Sequence, residues 1–424
     1  MGTVSRRGLF AATAALSTAA GGTALGAGRA DAAPPGAEPP PAPEFTEVSV
    51  HDPSVIVTDA GFHVFGSHLS AARSEDLLHW EGVADLVSHE NPLFEDVTEE
   101  LAEAFAWAGS ETLWAADVSQ TPDGRFRMYY CACEGSSPRS AMGTAIADDV
   151  EGPYRDEGIF LRSGMWDEPS EDGEIYDALV HPNAIDPHAF VDADGGYNVR
   201  VGRARDVQGP YLDPRGQDLR EAKADPDLPL FDDASIEPFG ATLVGNHRYA
   251  DAAEDGPGSG YVSPGHVSAW SSPDEQDTYL FLHSRFPGTD ELHQLRVHRI
   301  HFTRDGWPVV SPHRYAGELP AGAHGALPHR SALEGAWQVV EHGREISPEV
   351  PVSRSVQLHR NGRITGELTG RWRLEGGDRA TVTLDGETCS GVFTRGWRES
   401  AGAWTTTFTV LGPDGRSLWG TREA

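Results

Sequence analysis

The sequence predicts an all-β protein in which a β-propeller is followed by a small C-terminal antiparallel β-barrel. The first indication is composition, because 48 glycines and 30 prolines among 424 residues suit many short strands joined by tight turns. The second is a short polar motif that recurs along the chain, each time ahead of an alternating, strand-like run. The third is a change near residue 330, after which short strand signals alternate with Asn-Gly, Gly-Gly and Asp-Gly turns.

The recurring motif predicts the propeller blades. Its anchor residues are Asp52, Asp117, Asp186 and His266, which lie 65, 69 and 80 residues apart. This period is too long for a solenoid repeat and suits a blade of about four strands, somewhat longer than the roughly 40–50 residues of common blades. Because equivalent positions of successive blades face one channel, we expect the anchors to meet at one mouth of that channel.

The remaining segments predict the domain organisation. Residues 1–32 combine paired arginines, an apolar middle and a small-x-small end, which is typical of a secretory signal of the twin-arginine type. An ordinary secretory signal with two chance arginines is the alternative. Residues 33–45 form a proline-rich linker, 46–325 the propeller and 330–424 the barrel, which would either extend a binding groove or stabilise the propeller. A short helix is expected between Asp96 and Phe105.

The charge balance excludes several classes of partner. The formal net charge is −32, so the chain lacks the basic surface that binds nucleic acid or an anionic membrane. Beyond the N-terminal signal, no apolar run reaches the roughly 18 residues of a membrane span. The sequence therefore predicts a secreted, extracellular protein that acts on a neutral substrate.

Two Asp-Pro pairs are the strongest candidates for chemistry. Asp52 and Asp186 each precede a proline, which fixes the backbone next to the carboxylate. Two carboxylates at one channel mouth, near an aromatic residue such as Trp114, suit acid–base work on a neutral substrate, and glycoside hydrolysis is the prime case. The alternative is that each aspartate only caps its own turn.

The histidine and arginine residues of the last repeat allow two interpretations. His266 follows a Pro-Gly turn and could bind a metal ion or a sugar hydroxyl, or it could be an ordinary buried polar residue. A dense polar group follows it in the chain and could hold a sugar or form an inter-blade salt-bridge network. Its members are Arg285, His293, Arg296 and His298.

These motifs resemble glycoside hydrolase family 43, and within it the secreted two-domain endo-1,5-α-L-arabinanases. The resemblance rests on seven segments, namely His51–Ser54, Leu113–Asp117, Ser137–Ser140, Asn183–Pro187, Gly260–His266, Gly306–Val310 and Arg314–Glu318. It implies a five-bladed propeller and a polysaccharide substrate, arabinan or arabino-oligosaccharide. The reaction would invert the anomeric carbon, for which acid and base carboxyls lie roughly 6.5–9.5 Å apart.

The resemblance also implies residue roles. Asp52 would be the general base, and Asp186 would raise the pKa of the general acid and orient it. Trp114 and Asp117 would contact the substrate. His266 would lie near a channel-centre calcium ion that is held mostly through water.

One part of the family pattern is missing. The resemblance implies a general-acid glutamate in a Glu-Gly-Pro motif one blade after Asp186, and the sequence has no such motif there. About one blade, roughly 65 residues by this chain's own spacing, is absent near residues 191–201. Three explanations remain: an arabinan-binding protein without catalysis, a product damaged by deletion, or a replacement acid such as Glu237 or Glu291.

Overall fold

The computed structural model describes residues 41–134, 137–163, 199–204, 210–222, 227–228, 233–272, 277–291, 293–317 and 333–423. The predicted signal at 1–32, most of the linker and Asp186 lie outside these residues. Among the described residues, no helix is long and apolar enough to cross a membrane.

Three antiparallel sheets of four or five strands account for most of the propeller. The first sheet contains β1 (Ser54–Thr58), β2 (Gly61–Phe65), β3 (Ala71–Ser74) and β4 (Glu81–Ala84). The second contains β5 (Leu113–Gln120), β6 (Phe126–Glu134), β7 (Ser137–Ala147) and β8 (Arg155–Arg162). The last contains β11 (His247–Arg248), β12 (Gly260–Ser271), β13 (Thr278–Arg285), β14 (Gln294–Phe302) and β15 (Pro308–Val310).

A fourth sheet has only two strands among the described residues, β9 (Val199–Val201) and β10 (Ala241–Val244). One strand of each sheet lies towards the other sheets, because β1 packs beside β5 and β12, and β9 packs beside β12. The propeller-type fold is therefore confirmed. In the described part of the chain it consists of three full sheets and one sheet of two strands.

The predicted helix between Asp96 and Phe105 is confirmed as two short helices, α1 (Val97–Glu100) and α2 (Ala102–Ala108). The Asp96 side chain caps α1 by accepting from the backbone N–H groups of Thr98 and Glu99. The buried side of these helices packs on the core of the second sheet and covers its outer surface.

The C-terminal domain is a closed barrel of eight antiparallel strands. Its strands are β16 (Gly335–His342), β17 (Arg354–Leu358), β18 (Arg363–Gly366), β19 (Gly370–Leu374), β20 (Arg379–Leu384), β21 (Glu387–Arg398), β22 (Ala403–Leu411) and β23 (Ser417–Arg422). Large buried side chains, including Trp337, Trp372, Phe393 and Phe408, fill its interior. A filled interior suits a structural or interface role better than storage of a small ligand.

One barrel strand lies earlier in the chain than its sequence pattern indicates. The pattern Gly366-Glu367-Leu368 predicts a strand over these residues, whereas β18 ends at Gly366. Gly366 has a φ of +123°, and a Cβ atom there would lie 2.7 Å from the Ser355 carbonyl oxygen. The chain turns at this glycine because only glycine adopts that backbone conformation so close to a neighbouring strand.

A strap formed by residues 45–50 joins the first and last sheets. Leu295 N–H donates to the Val48 carbonyl, and Thr46 N–H donates to the Leu78 carbonyl. Glu47 lies between two buried guanidiniums, 2.9 Å from Arg296 and hydrogen-bonded to Arg314. Burial alone would raise the pKa of Glu47, but the two arginines outweigh it and lower the pKa.

The Glu47→Gln variant is expected to lose about 3 kcal/mol of unfolding free energy, because it leaves two buried cations without their shared carboxylate. The measurement is urea unfolding at neutral pH. Glu81→Gln is the matched control, since Glu81 is 69% exposed in its pair with Arg73 and such pairs contribute about 0–1 kcal/mol. Equal losses in the two variants would contradict the assigned role of Glu47.

Candidate active site

Asp52 is the centre of the candidate site. Asp52 directly precedes Pro53 and the start of β1, and it is only 6% exposed. Its φ of +57° places the backbone in the left-handed region. This conformation is strained for a non-glycine residue and is found most often at functional sites. The Asp52 N–H donates to Nδ1 of His283 at 2.9 Å, which fixes the backbone from the last sheet.

Similar backbone features occur at the other channel-facing motifs. Ala115, Ser263 and His266 have φ values of +39°, +50° and +34°. The strand register shifts beside them, between Trp114 and Asp117 on β5 and around Gly265 on β12. Such bulges re-aim side chains next to active sites. The inner strands thus share one local distortion that turns polar groups towards a common space.

The two oxygens of the Asp52 carboxylate have different surroundings. Oδ2 accepts from the Ser67 hydroxyl at 2.5 Å and lies 2.8 Å from Nδ1 of His51. Oδ1 lies 3.4 Å from Nδ1 of His283 and 3.6 Å from Nδ1 of His266. Oδ2 is therefore anchored by two short hydrogen bonds, whereas Oδ1 has only longer contacts.

Asp52 is ionised at neutral pH. Burial by itself would raise its pKa, but the hydrogen bond from His51 and the nearby imidazoles outweigh it and hold the pKa well below its usual range. His283 is neutral, since its Nδ1 accepts the Asp52 N–H and burial lowers its own pKa strongly. Hydrogen bonds to the carboxylate, rather than an ion pair with His283, therefore account for the ionised state.

Asp117 lies on β5 and is linked to the same site. Its Oδ1 accepts from the hydroxyl of Ser54, two residues after Asp52. The Asp117 residue is exposed to solvent on one side, but many protein atoms surround its carboxyl group. Their partial exclusion of water raises the pKa of Asp117. The pKa is lowered at Asp52 and raised at Asp117. Two aspartates of one site that differ in this way can have different roles, such as base, acid or substrate binding.

Three imidazoles beside Asp52 form a cluster, in which the ligand nitrogens of His51, His283 and His293 lie within 4.8 Å of one another. The rings of His51 and His283 are stacked, with centroids 4.1 Å apart and planes 10° from parallel. Lone pairs in parallel rings do not converge on one ion, and Nδ1 of His283 already accepts a hydrogen bond. The cluster is therefore better suited to packing against Asp52 than to holding a metal ion.

The candidate replacement acids Glu237 and Glu291, and Glu151, which begins a Glu-Gly-Pro sequence in an earlier repeat, have other contacts. Glu237 accepts from the Ile346 N–H at the barrel, and its carbonyl accepts from Arg344. Glu151 pairs with Arg73 on the outer side of the first sheet. Glu291 is 84% exposed and pairs with Arg285, whose guanidinium also donates to Ser263 at 2.8 Å. Arg285 therefore links Glu291 to Ser263, but the Glu291 carboxylate itself is exposed and paired with that cation.

The structure brings together three of the predicted site residues. Asp52, Asp117 and His266 share one region, and Trp114 lies half-buried on β5 three residues before Asp117. Asp186 lies outside the described residues. The arginine–histidine group of the last repeat is split: Arg296 pairs with Glu47, and His298 accepts from or donates to the Tyr261 hydroxyl at 2.8 Å.

The sequence does not single out two partners of Asp52, Ser67 and His283. Ser67 follows β2 of the first sheet, 15 residues from Asp52, and His283 lies on β13 of the last sheet, 231 residues away. His293, named above in the polar group of the last repeat, lies beside His51. The fold determines these contacts, and no local pattern identifies Ser67 or His283 as partners of Asp52.

A propeller that gathers a fixed, ionised carboxylate and several polar groups in one space has the architecture of a glycoside hydrolase. A sequence profile described as Glycosyl hydrolases family 43 matches residues 45–197, and one described as a C-terminal lipocalin-like domain matches residues 312–420. Together with the relatives below, these matches show that the chain belongs to glycosyl hydrolase family 43.

The relatives match along most of their length. The extracellular endo-α-(1→5)-L-arabinanase 2 of Bacillus subtilis is 40% identical over 90% of this chain and 94% of its own. The extracellular endo-α-(1→5)-L-arabinanase of Thermotoga petrophila is 34% identical over 90% of this chain and 95% of its own length. A family 43 crystal structure from Bacillus licheniformis has a TM-score of 0.81 at 38% identity, over 90% of this chain and 99% of that one.

The alignment with the Bacillus subtilis relative is longer than the part of this chain that it covers. The alignment with the Bacillus subtilis relative spans 450 positions, whereas 90% of 424 residues is about 382, so about 68 positions lack a residue of this chain. That number is close to the 65–80 residues between successive anchors of this chain. The shortfall therefore has the size of one blade, and the two-stranded β9–β10 sheet is the blade with the fewest described strands.

Proposed function

We propose that this protein hydrolyses α-1,5-L-arabinofuranosyl linkages of arabinan, with Asp52 as the general base. The observation that carries the proposal is the Asp52 carboxylate, which is held ionised with one oxygen anchored and the other directed towards the shared space. The relatives named as endo-arabinanases support arabinan as the substrate.

The proposed reaction is a single displacement. A water molecule attacks the anomeric carbon, Oδ1 of Asp52 takes the proton of that water, and the bond to the leaving oxygen breaks with inversion. The leaving oxygen needs a proton from an acid. Among the described residues, Glu151, Glu237 and Glu291 are each bound elsewhere. Asp186, which lies outside the described residues, would act by orienting the acid rather than replacing it.

We further propose that calcium, if bound, lies near His266. The oxygens that calcium prefers are present there in Asp52 and Asp117, while the described histidine cluster offers only nitrogen. These residues fit an ion held largely through water, with His266 and Asp52 beside it. The ion would supply positive charge that stabilises the ionised form of Asp52.

The second candidate function is binding of arabinan without cleavage. It is favoured by the shortfall of about one blade in the alignments and by the absence of the expected Glu-Gly-Pro motif after Asp186 in the sequence. A protein of this kind would keep the channel contacts and lose the proton donor.

Two substrates separate these functions. Linear arabinan needs a general acid, whereas a dinitrophenyl arabinotrioside has a leaving group that departs without a proton. Reducing-sugar release from arabinan supports the complete reaction. Turnover of the dinitrophenyl substrate alone supports a working base without an acid. Affinity for arabino-oligosaccharides without turnover of either substrate supports the binding function and contradicts hydrolysis.

We also propose secretion to the extracellular space. The support is the paired-arginine segment at residues 1–32 and the description of two relatives, each matched over 90% of this chain, as extracellular enzymes. Detection of the protein in the culture medium, and its loss there when Arg6 and Arg7 are both replaced by Lys, tests the twin-arginine route.

A further inference from the structure

Ser67 connects the second sheet to Asp52. It begins a 3-10 turn at Ser67–Leu69, directly after β2, and is 2% exposed. The turn is bound to the backbone of His51, because the Ser67 N–H donates to the His51 carbonyl at 2.9 Å. Gly66 allows this close approach, because a Cβ atom there would lie 2.0 Å from the same carbonyl oxygen. The Ser67 hydroxyl is thereby held beside the Asp52 carboxylate.

The hydrogen-bond directions at Ser67 are determined by its partners. The Ala115 N–H, from β5, donates to Ser67 Oγ at 2.9 Å. A backbone N–H can only donate, so Ser67 accepts there and its own proton is available for Oδ2 of Asp52 at 2.5 Å. A carboxylate can only accept, so this direction is consistent at both ends. The Ser67 hydroxyl therefore links Ala115 of the second sheet to Asp52 through two hydrogen bonds.

We propose that Ser67 is a positioning residue for the base, which holds Oδ2 of Asp52 so that Oδ1 is the oxygen that takes the proton from water. This inference rests on the hydrolysis proposed above. His51 shares the anchoring of Oδ2 from Nδ1 at 2.8 Å, but its ring is one-third exposed and flanked by His293. Ser67 is buried and tied to a second sheet, so it restricts rotation of the carboxylate more strongly.

The test compares Ser67→Ala, Ser67→Thr and a matched control, Ser70→Ala. Ser70 lies just after the same turn and also donates to a carboxylate, Asp85 at 2.7 Å, without contacting Asp52. On the dinitrophenyl arabinotrioside, we expect Ser67→Ala to lower kcat roughly 10–100-fold with KM within about twofold, because the bound substrate no longer meets an oriented base. Ser67→Thr, which keeps the hydroxyl, should restore most of kcat.

Two further readouts separate positioning from general destabilisation. The acid limb of the kcat profile should move to higher pH in Ser67→Ala, since the ionised carboxylate loses a donor. The infrared carboxylate bands of Asp52, isolated by subtracting the matching Asp52→Asn spectrum, should shift in Ser67→Ala and remain in place in Ser70→Ala. This measurement needs no turnover, so it tests Ser67 even if the wild-type protein proves to be inactive.

The outcomes are distinct. Wild-type kcat in Ser67→Ala, or unchanged Asp52 bands, would overturn the role of Ser67. Equal losses of kcat in Ser67→Ala and Ser70→Ala would also overturn it, because the effect would then come from the turn as a whole. An inactive wild-type protein with shifted bands would overturn the hydrolase function and leave the positioning of Asp52 by Ser67 supported.

Discussion

Replacing Asp52 by Asn is expected to lower kcat on linear arabinan by about 10²–10⁴-fold, with a smaller change in KM. Asparagine has the shape of aspartate but cannot take a proton from water. Its amide oxygen can still accept the hydrogen bonds that converge on Oδ2, from Ser67 and His51, so the substitution removes the base and leaves these contacts in place. The measurement is steady-state kinetics below the melting temperature of both proteins.

Azide provides a positive test of the same role. As a nucleophile that carries no proton, it needs no base and fits where the carboxylate charge has been removed. On the dinitrophenyl substrate, azide should restore turnover in Asp52→Asn and yield an arabinosyl azide of inverted configuration. Asp123→Asn is the control, because Asp123 is 57% exposed in the turn after β5, away from the site. Full activity in Asp52→Asn would refute the assignment of the base.

Acid is expected to destabilise the contact between the propeller and the barrel. Four buried histidines, His247, His298, His313 and His342, line this contact, and Trp419 of β23 packs against three of them. The hydrogen bond of His342 needs a neutral ring, since its Nδ1 accepts from the Gly245 N–H. Protonation of His342 breaks that bond, and protonation of any of the four rings buries a charge.

The direction of the pH effect follows from the pKa shifts. Burial lowers the pKa of His247 to about 4 and those of His298 and His313 to about 3, and lowers that of His342 well below 6.5. Nearby guanidiniums, Arg398 for His313 and Arg296 and Arg314 for His298, oppose protonation further. The unfolded chain therefore binds these protons first, so stability is complete above pH 6.5 and falls as the pH drops below it.

The expected loss is large. Each of the four histidines costs about 2 kcal/mol at pH 5, or about 8 kcal/mol together, against a typical total stability of about 5–15 kcal/mol. Urea unfolding at pH 7.5, 6.5, 5.5 and 5.0 measures it. His342→Asn keeps an acceptor for the Gly245 N–H without a titrating group, and should reduce the pH slope by about a quarter. Constant stability between pH 7.5 and 5 would disprove this account.

The sequence predicts the fold class and the short helix because these depend on local patterns. Alternating runs and turn residues indicate strands, and the spacing of Asp52, Asp117, Asp186 and His266 indicates blades. Gly366 shows the limit, since its close approach to Ser355 ends β18 earlier than the pattern suggests. The sequence also does not predict the histidine-lined contact between the domains, because a histidine that is buried and neutral cannot be distinguished in the sequence from one that is exposed.

The site is predictable only in part, for a related reason. Asp52 stands out through its Asp-Pro pair, but its environment depends on groups that the fold brings from distant parts of the chain. Burial and hydrogen bonds determine that Asp52 is ionised and that Asp117 has a raised pKa, and neither can be read from a linear motif. Glu237 illustrates the converse, since a candidate acid in the sequence proves to be a contact between domains.

The strap at residues 45–50 has a consequence for the order of folding. Glu47 pairs with residues 249 and 267 positions later, and the Asp52 N–H meets His283 231 positions later. Contacts of such high sequence separation form late, after the intervening sheets have folded. A chain emerging from the ribosome therefore carries Asp52 for most of its synthesis without the partners that orient it. Catalytic competence should appear only at the final docking step, in which the start of the chain meets the last sheet.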